Sequence, residues 1–326
     1  MNQNDIRLRA LLWMVAAASA LFAIQSQAQP YPARPVRIVV PYGVGTATDT
    51  AARMLAQKLS QTWAKAVTVE AIPGAGGVVG SQAIVKAPAD GYTLGVVAGA
   101  HAINAALYRN LPFDSLKDFK PIMNVAFTPL VLVSNPALPV RSVGELIALA
   151  KSAPKKYSYG SGGTGSAPHL AMELFEQMAG IQLTHAPYKN LGQLSSDLIS
   201  GQIDVSITAV STLLANIRAG KIRALGVSGS KRSLLLPETP AIGESVPGYE
   251  VKVWIGMIAP FGVPDSIAEK IYTDASAILR TEEMGKAFHA QAIEVEPLPA
   301  GPFWQHVSSE ITRWTKIVKD AGLTPE

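Results

Sequence analysis

The sequence contains no cysteine, and its charge is low for its length. The absence of cysteine excludes structural disulfides, a thiol nucleophile, thiolate metal ligands and a lipid-modified N-terminal cysteine within this chain. Lys and Arg number 28 and Asp and Glu 24, which gives a formal net charge of +4 at pH 7. The basic residues form only short clusters, with no stripe in which aromatic and basic residues alternate, so nucleic acid is not an expected partner.

Metal-binding patterns are lacking as well. The sequence has five histidines, and they show no ligand spacing: His101, His169, His185, His289 and His306. No group of Asp and Glu has the spacing of a calcium loop. We therefore expect neither a metal nor a cofactor.

Only one long apolar run occurs, at the N-terminus. Arg7 and Arg9 precede the run Ala10 to Ile24, which has 15 residues, and the small residues of Ser26-Gln27-Ala28 follow it. A membrane span needs about 20 apolar residues, so this pattern predicts a secretory signal peptide over residues 1–28, cleaved near Ala28. We expect a protein of the periplasm that is not embedded in the membrane after cleavage.

A glycine-rich loop lies between a predicted strand and a predicted helix in Tyr157 to Met178. The strand covers Tyr157 to Tyr159, and the helix begins near Ser166 with Pro168 in its first turn, where a missing N–H costs nothing. Unpaired N–H groups and the positive end of the helix dipole face such a loop. The pattern predicts an anion site.

The same arrangement occurs early in the chain. Arg37 to Val40 is rich in β-formers, Pro41 to Thr48 is a loop with two glycines, and Thr50 to Leu59 has helical spacing. One such loop in each half of the chain predicts that two loops close on one anion.

The rest of the chain alternates between short β-branched runs and helical stretches, which is typical of an α/β fold with parallel or mixed sheets. Two stretches, Lys120 to Asn135 and Val251 to Pro260, are long and extended, and we interpret them as crossings between domains. They divide the chain into domain I, residues 29–127 and 251–326, and domain II, residues 128–250, with three or four strands in domain II. We expect two sheets flanked by helices and joined by two hinge strands, which allows closure around a ligand.

Helix ends carry further signals. Ser142 to Glu145 and Ser266 to Glu269 read as capping boxes, and Gly180, Gly201 and Gly220 read as C-caps that precede strands. The last helix has one apolar stripe: Val307, Ile311, Trp314, Val318 and Ala321.

Two enzymatic interpretations are weaker than binding. Gly160 to Gly165 matches the dinucleotide fingerprint G-x-G-x-x-G, but the next strand, Thr184 to Lys189, brings no carboxylate for a ribose. A serine hydrolase would use Ser161 or Ser166 with His169 and Asp204, yet no G-x-S-x-G nucleophile elbow occurs. The hydrolase stays an alternative, and our prediction is a protein that is not an enzyme.

Several stretches in order resemble one known family: Tyr31 to Pro41 continuing to Asp49, Pro73 to Gly77, Ala89 to Leu94, His101 to Asn104, Gly162 to Leu170, Ala186 to Lys189 and Gly220 to Leu225. On these residues the chain resembles the Bug-type periplasmic receptors of tripartite tricarboxylate transporters. The resemblance implies a two-lobed binding protein of the type II class that delivers a small carboxylate to membrane transporter subunits. Because some members of the family are thought to be sensors, a signalling partner is the alternative.

The resemblance also implies a ligand site. In the family, the loop after the first strand and the glycine loop of the second lobe bind the ligand through N–H groups, hydroxyls and ordered water. By position, this predicts the ligand-binding residues Tyr42, Gly43, Val44, Gly45, Thr46, Ala47, Asp49, His101, Ser161, Gly162, Gly163, Thr164, Gly165, Ser166, His169 and Thr208. Alternatives stay open: Pro73 to Gly77 as a plain tight turn, Asp49 as a partner of the helix dipole, and Lys189 as a surface residue.

The first loop departs from the family pattern Pro-Phe-Pro-Ala-Gly-Gly-x-x-Asp. Tyr42 replaces the Phe, Gly43 the second Pro and Thr46 the second Gly. After Asp204, Thr208 and Ala209 stand where many members have Asp-Asn. Since this removes a carboxylate from the cleft wall, we expect a di- or tricarboxylate or an aromatic carboxylate rather than an amino acid.

Overall fold

The structure, a computed structural model, describes residues 31–188 and 190–320. The predicted signal peptide and Lys189 lie outside the described residues. The described chain falls into two units, residues 31–34 and 35–320. The first holds a cis peptide bond between Tyr31 and Pro32. The described strands and helices belong to the second unit.

Short runs of apolar and β-branched residues form the strands. In chain order they are β1 (Val36–Val40), β2 (Val67–Ala71), β3 (Thr93–Ala98), β4 (Phe119–Thr128), β5 (Leu130–Ser134), β6 (Ser158–Ser161), β7 (Thr184–Pro187), β8 (Val205–Ala209), β9 (Arg223–Val227), β10 (Val253–Pro260) and β11 (Glu294–Pro299). Every residue of β3 and of β5 is buried, as expected for strands covered on both faces.

The helices carry their apolar residues at helical spacing. In chain order they are α1 (Ala47–Trp63), α2 (Val78–Val85), α3 (Ala100–Leu107), α4 (Val143–Ser152), α5 (Ala167–Ala179), α6 (Leu191–Ser200), α7 (Val210–Arg218), α8 (Asp265–Leu279), α9 (Glu282–Ala290) and α10 (Ala300–Asp320). In α1, Ala51, Leu55 and Leu59 are fully buried at intervals of four residues, which fixes the face that packs on the sheet.

Two mixed sheets organise the strands. The first has six strands in the order β11-β4-β10-β3-β1-β2, and the second has five in the order β7-β6-β8-β5-β9. Strands β1 to β3 run parallel, whereas β10 is antiparallel to β3 and β4, and β5 is antiparallel to β8 and β9. The predicted fold class, two sheets flanked by helices, is confirmed. The second sheet has one strand more than predicted because β5 joins it.

The chain passes between the sheets twice. The predicted crossing at residues 120–135 is two strands, β4 in the first sheet and β5 in the second, with Pro129 between them. The second predicted crossing, Val251 to Pro260, was wrong from Val253 onward: these residues form β10, a central strand of the first sheet, which is apolar because nearly all its residues are buried. The return passage lies between β9 and β10, where Val251 N–H donates to Ser228 O at 2.8 Å.

We name the part built on the six-stranded sheet lobe I and the part built on the five-stranded sheet lobe II. The residue boundaries given above for domains I and II stay a prediction. One buried apolar cluster includes side chains from both lobes, among them Val97 and Trp254 of lobe I and Leu132 and Tyr159 of lobe II. Packing therefore continues from one sheet to the other.

The cap predictions gave mixed results. Ser142 caps α4, although Glu145 accepts the N–H of Arg141 rather than that of Ser142. The capping box at Ser266 was wrong: α8 begins at Asp265, and its N-cap is Pro264, whose side chain has no atom that can accept a hydrogen bond.

Gly180 and Gly201 are left-handed C-caps as predicted, while Ala219 is the C-cap of α7 and Gly220 follows it. In α10, Val307, Trp314 and Val318 are buried and Ile311 is partly buried, and Ala321 lies outside the described residues.

Candidate functional site

The two predicted loops lie at the carboxyl ends of β1 and β6, where ligands of α/β sheets bind. Each loop ends in an N-capping hydroxyl: Thr46 Oγ1 accepts from Asp49 N, and Ser166 Oγ accepts from His169 N, both at 3.3 Å. The predicted helix start near Ser166 is confirmed. Helix α1 begins three residues before the predicted Thr50, since Thr46 is its cap.

The carboxylate of Asp49 holds the first loop from within. It is 2 % exposed, its Oδ2 accepts the N–H of Gly45 at 3.0 Å, and Arg53 binds both its oxygens. Burial raises the pKa of Asp49, but the hydrogen bonds from Arg53 and Gly45 outweigh it and lower the pKa overall. Asp49 is therefore an ionised internal acceptor that shapes the loop.

Tyr42 anchors the start of the same loop. Its hydroxyl accepts from Ala98 N at 3.2 Å and lies 3.5 Å from Ala98 O at the end of β3. Burial raises the pKa of Tyr42 to about 12, so the phenol stays neutral and can donate as well as accept. The hydroxyl that distinguishes Tyr42 from the family's phenylalanine thus ties the first loop to the neighbouring strand.

The turn Pro73 to Gly77 packs against this loop. Gly77 has φ +103°, and a methyl group there would lie 2.9 Å from the ring of Tyr42, so the contact requires glycine. Asn104 in α3 donates to Gly76 O at 3.0 Å. The turn therefore supports the first loop and links it to α3.

Side chains also hold the second loop from beneath. Ser161 is fully buried, and its Oγ accepts the N–H of Gly163 at 3.2 Å. His169 Nδ1 accepts the N–H of Gly165 at 3.0 Å. Ser166 Oγ donates to Gly163 O at 2.7 Å. As in the first loop, some of the N–H groups are bound by the protein itself.

Other N–H groups of the two loops have no hydrogen-bond acceptor among the described residues. In the first loop they include those of Gly43, Val44, Ala47 and Thr48, and in the second those of Gly162, Thr164 and Ala167. Ala47, Thr48 and Ala167 are in the first helical turn, where the helix offers no acceptor. Each lobe thus presents a small group of donors at a helix N-terminus, an arrangement suited to an anion.

His101 and Thr208, two of the predicted ligand-binding residues, are both buried. The ring of His101 is enclosed by Phe113, Phe119 and Trp304 and contacts Ser115 O at 2.9 Å, so no ligand can reach it in this conformation. Burial lowers the pKa of His101 to about 4, against the opposing effect of the Ser115 carbonyl. Thr208 is buried near the end of β8, the strand next to β6.

His185 lies at the site although no sequence pattern predicted it there. Its Nε2 lies 2.7 Å from Ser161 Oγ, and its ring stacks on His169 with centroids 4.1 Å apart. It lies in β7, 24 residues from Ser161. The only sequence signal was its position immediately before the family-like stretch Ala186 to Lys189.

The catalytic pairing considered for a hydrolase was wrong. Ser161 pairs with His185, not His169, and it is inaccessible. Asp204 accepts from the N–H and the hydroxyl of Ser158, at the other end of β6. Within residues 31–188 and 190–320, no three metal-ligating side chains converge on one point, and no helix has the length and apolarity of a membrane span.

A cavity of about 450 Å³ lies beside the passages between the sheets, which contribute Pro129 and Lys252 to its lining. It lies by the edge strands β11 and β9, whereas the two loops follow β1 and β6. There Ser233 Oγ of lobe II donates to Glu294 Oε1 of lobe I at 2.5 Å. The cavity is lined by Phe127, Pro129, Val227, Gly229, Ser230, Lys231, Arg232, Ser233, Leu234, Lys252, Glu294 and Glu296.

Comparison with known proteins gives one consistent family. Residues 51–323 match the model of the tripartite tricarboxylate transporter family receptor. Protein BugT of Bordetella pertussis is 34 % identical over 324 residues, 98 % of each chain. The family and its structural neighbours are solute-binding receptors rather than enzymes.

Two solved structures are similar and contain ligands. The R. palustris protein solved with adipate is 34 % identical, with a TM-score of 0.77 over 91 % of this chain and 100 % of that one. MatC from Rhodopseudomonas palustris, solved with malate, is 27 % identical, with a TM-score of 0.71 over 88 % of this chain and 100 % of that one.

Proposed function

Because the chain belongs to the tripartite tricarboxylate transporter receptor family, we propose that it captures a small carboxylate in the periplasm, after signal-peptide cleavage near Ala28, and delivers it to membrane transporter subunits of that type. The observation that carries this proposal is the pair of donor groups on loops 41–48 and 161–166. Each ends at a helix N-terminus, and each has N–H groups for which the described residues offer no acceptor.

Two donor groups fit a ligand with two acceptor ends. A carboxylate bound by three backbone N–H groups gains charge-assisted hydrogen bonds, which are about twice as strong as neutral ones. One carboxylate against each loop would bridge the lobes and stabilise their closure about the two passages. Adipate and malate, the ligands of the two similar structures, both have two carboxylates, which supports a dicarboxylate here.

The side chains beside the loops favour a ligand with an apolar body. Val44 is 75 % exposed at the tip of the first loop, and Leu191 is 39 % exposed next to Gly162. Asp49, the carboxylate that directly follows the first loop, is already bound by Arg53 and Gly45, and neither loop contains another carboxylate to pair with an ammonium group. We therefore favour an aliphatic dicarboxylate or an aromatic carboxylate over an amino acid.

The function is non-covalent. Binding at one loop, rotation of the other lobe and completion of the cage are its steps, and no bond is made or broken. In this proposal, residues 29–127 with 251–326 and residues 128–250 are the two bodies that rotate. No cofactor takes part.

A thermal-shift screen tests the proposal. Protein that has been unfolded and refolded to remove bound ligand is screened with mono-, di- and tricarboxylates, amino acids and sugars. A ligand at a hundred times its dissociation constant stabilises the fold by about 2.7 kcal/mol, which shifts the melting temperature measurably. Shifts confined to carboxylates support the proposal. The proposal is contradicted if only sugars or amino acids shift the melting temperature, or if no compound does.

A further inference from the structure

Two stacked histidines lie beneath the second glycine loop. The rings of His169 in α5 and His185 in β7 are 4.1 Å apart at 20°, and Tyr159 in β6 stacks on His185 at 4.8 Å. His169 is buried and His185 half-buried. Each ring contacts the loop through a different nitrogen.

The hydrogen bonds of His169 fix its tautomer. Because Gly165 N–H donates to Nδ1, this nitrogen carries a lone pair and the proton is on Nε2. Nε2 faces Glu173 Oε1 at 3.4 Å, and the same oxygen accepts from Tyr159 OH at 2.7 Å. The bond from His169 lowers the pKa of Glu173, and the bond from Tyr159 adds to this effect against burial, so Glu173 stays an acceptor.

The bonds of Ser161 give the direction of the second contact. Its Oγ accepts from Gly163 N–H, so its own proton goes to His185 Nε2 at 2.7 Å or to Gly163 O at 3.3 Å. The shorter contact is to His185. Burial and the neighbouring His169 lower the pKa of His185 to about 4, against the effect of Glu173, so the ring is neutral near pH 7 and Nε2 can accept.

These contacts divide the loop into bound and free donors. The N–H groups of Gly163 and Gly165 are held from beneath by Ser161 and His169, whereas those of Gly162 and Thr164 have no acceptor among the described residues. We infer that His169 and His185 are positioning residues: His169 directly, and His185 through Ser161, determine which N–H groups the second loop offers to a carboxylate. This inference rests on the proposed function.

Reciprocal amide substitutions separate this role from simple packing. The side-chain oxygen of Asn takes the place of Nδ1, whereas the amide of Gln reaches the place of Nε2. His169→Asn therefore keeps an acceptor for Gly165 N–H, and His169→Gln removes it. At His185 the preference is reversed, because there Nε2 makes the contact.

Isothermal titration of the refolded protein with adipate and with malate measures the effect. We expect His169→Gln and His185→Asn to raise Kd about tenfold, which corresponds to about 1.4 kcal/mol, and the opposite substitutions to raise it about threefold or less. Ser161→Ala should match His185→Asn, and the double variant should be no worse than either alone. Equal effects of Asn and Gln at both positions, or the reverse order, would overturn the inference.

Amide hydrogen exchange of the ligand-free protein gives a second readout that does not depend on affinity. The N–H of Gly165 should exchange faster in His169→Gln than in wild type and remain protected in His169→Asn. Unchanged exchange in His169→Gln contradicts the inference even if that variant binds weakly. If wild-type protein binds no carboxylate, the proposed function fails and the inference with it, whereas binding that is indifferent to all four substitutions removes the inference alone.

Discussion

Arg53 binds the carboxylate of Asp49 one helical turn away, with Nε 3.1 Å and 3.0 Å from its two oxygens. The same carboxylate also accepts the N–H of Gly45 at 3.0 Å. The pair therefore links the first turn of α1 to the tip of the first loop. Asp49, which the sequence predicted to bind the ligand, instead binds and orders the first loop.

Removing this carboxylate should weaken ligand binding. In Asp49→Ala the N–H of Gly45 loses its acceptor, and we expect Kd for the bound carboxylate to rise at least about fivefold and stability to fall by about 1–3 kcal/mol. Asp49→Asn keeps an oxygen that can accept the N–H of Gly45, so its affinity and stability should lie between those of wild type and Asp49→Ala. Titration calorimetry and urea unfolding measure both quantities. Asp114→Ala is the control, since Asp114 also accepts backbone N–H groups but in another loop; equal loss of affinity in both variants contradicts the prediction.

The hydroxyl of Tyr42 should contribute to both stability and affinity. Tyr42→Phe removes its contacts with the backbone of Ala98 and leaves the ring beside Gly77. We expect a loss of about 0.5–1.5 kcal/mol in the free energy of unfolding, with weaker carboxylate binding. Tyr249→Phe removes a comparable bond, to Ala171 O at 3.0 Å, from outside both loops. Tyr249→Phe should reduce stability but not affinity. If Tyr249→Phe lowers the affinity for the carboxylate and Tyr42→Phe does not, this role of Tyr42 is contradicted.

A close contact between the lobes should make Gly165 less tolerant of a side chain than a glycine with open space around it. Its φ is +76°, and a methyl group there would lie 2.8 Å from Leu107 Cδ1 of α3. Gly180 has a similar φ of +64° with no atom within 4 Å of such a methyl group. Gly180→Ala should therefore cost only the left-handed penalty of about 1–2 kcal/mol, and Gly165→Ala should cost more. Urea unfolding compares the two variants; equal losses mean that Leu107 yields without cost.

Glu176 should make stability fall as pH rises. Burial raises its pKa to about 7, and the charge of Glu173 adds to this effect while the N–H of Leu183 opposes it. A carboxyl whose pKa is raised on folding stabilises the fold fully below its unfolded pKa of about 4.5, and this contribution is lost as pH rises through about 7. Glu176→Gln should therefore raise the melting temperature more at pH 8.5 than at pH 5.5. A gain that is the same at both values, or larger at pH 5.5, contradicts the assignment.

Local signals predicted the ends of elements well. Ser166 and Ser142 cap their helices through bonds to residues three positions away, and Gly180 and Gly201 adopt the left-handed C-cap conformation, so a few neighbouring residues determine each outcome. Val253 to Pro260 shows the limit. Its apolar character predicted an extended segment, but only its pairing with β3 and β4 makes it a central strand.

In the site as well, local sequence predicted some features, whereas others depend on distant contacts. The positions of both loops followed from the glycine, hydroxyl and helix pattern of single stretches. The neighbours of His101 could not be read from its stretch, because Trp304 comes from the other end of the chain. Ser161 and His185 meet only because β6 and β7 pair in parallel, with Ser158 opposite Thr184 and Ser161 opposite Pro187. Contacts of this kind depend on strand register, which no local pattern determines.

The bond between Ser233 and Glu294 has a consequence for ligand affinity. If the two lobes rotate about the chain passages as proposed, an approach of the loops on one side of the passages separates residues on the other side. Ser233 and Glu294 bond beside the edge strands β9 and β11, away from the two loops, so in that rotation their hydrogen bond would oppose capture of the ligand. A compound wedged into the neighbouring 450 Å³ cavity would bias the same pivot. Such a compound would change the affinity for the carboxylate without occupying its site.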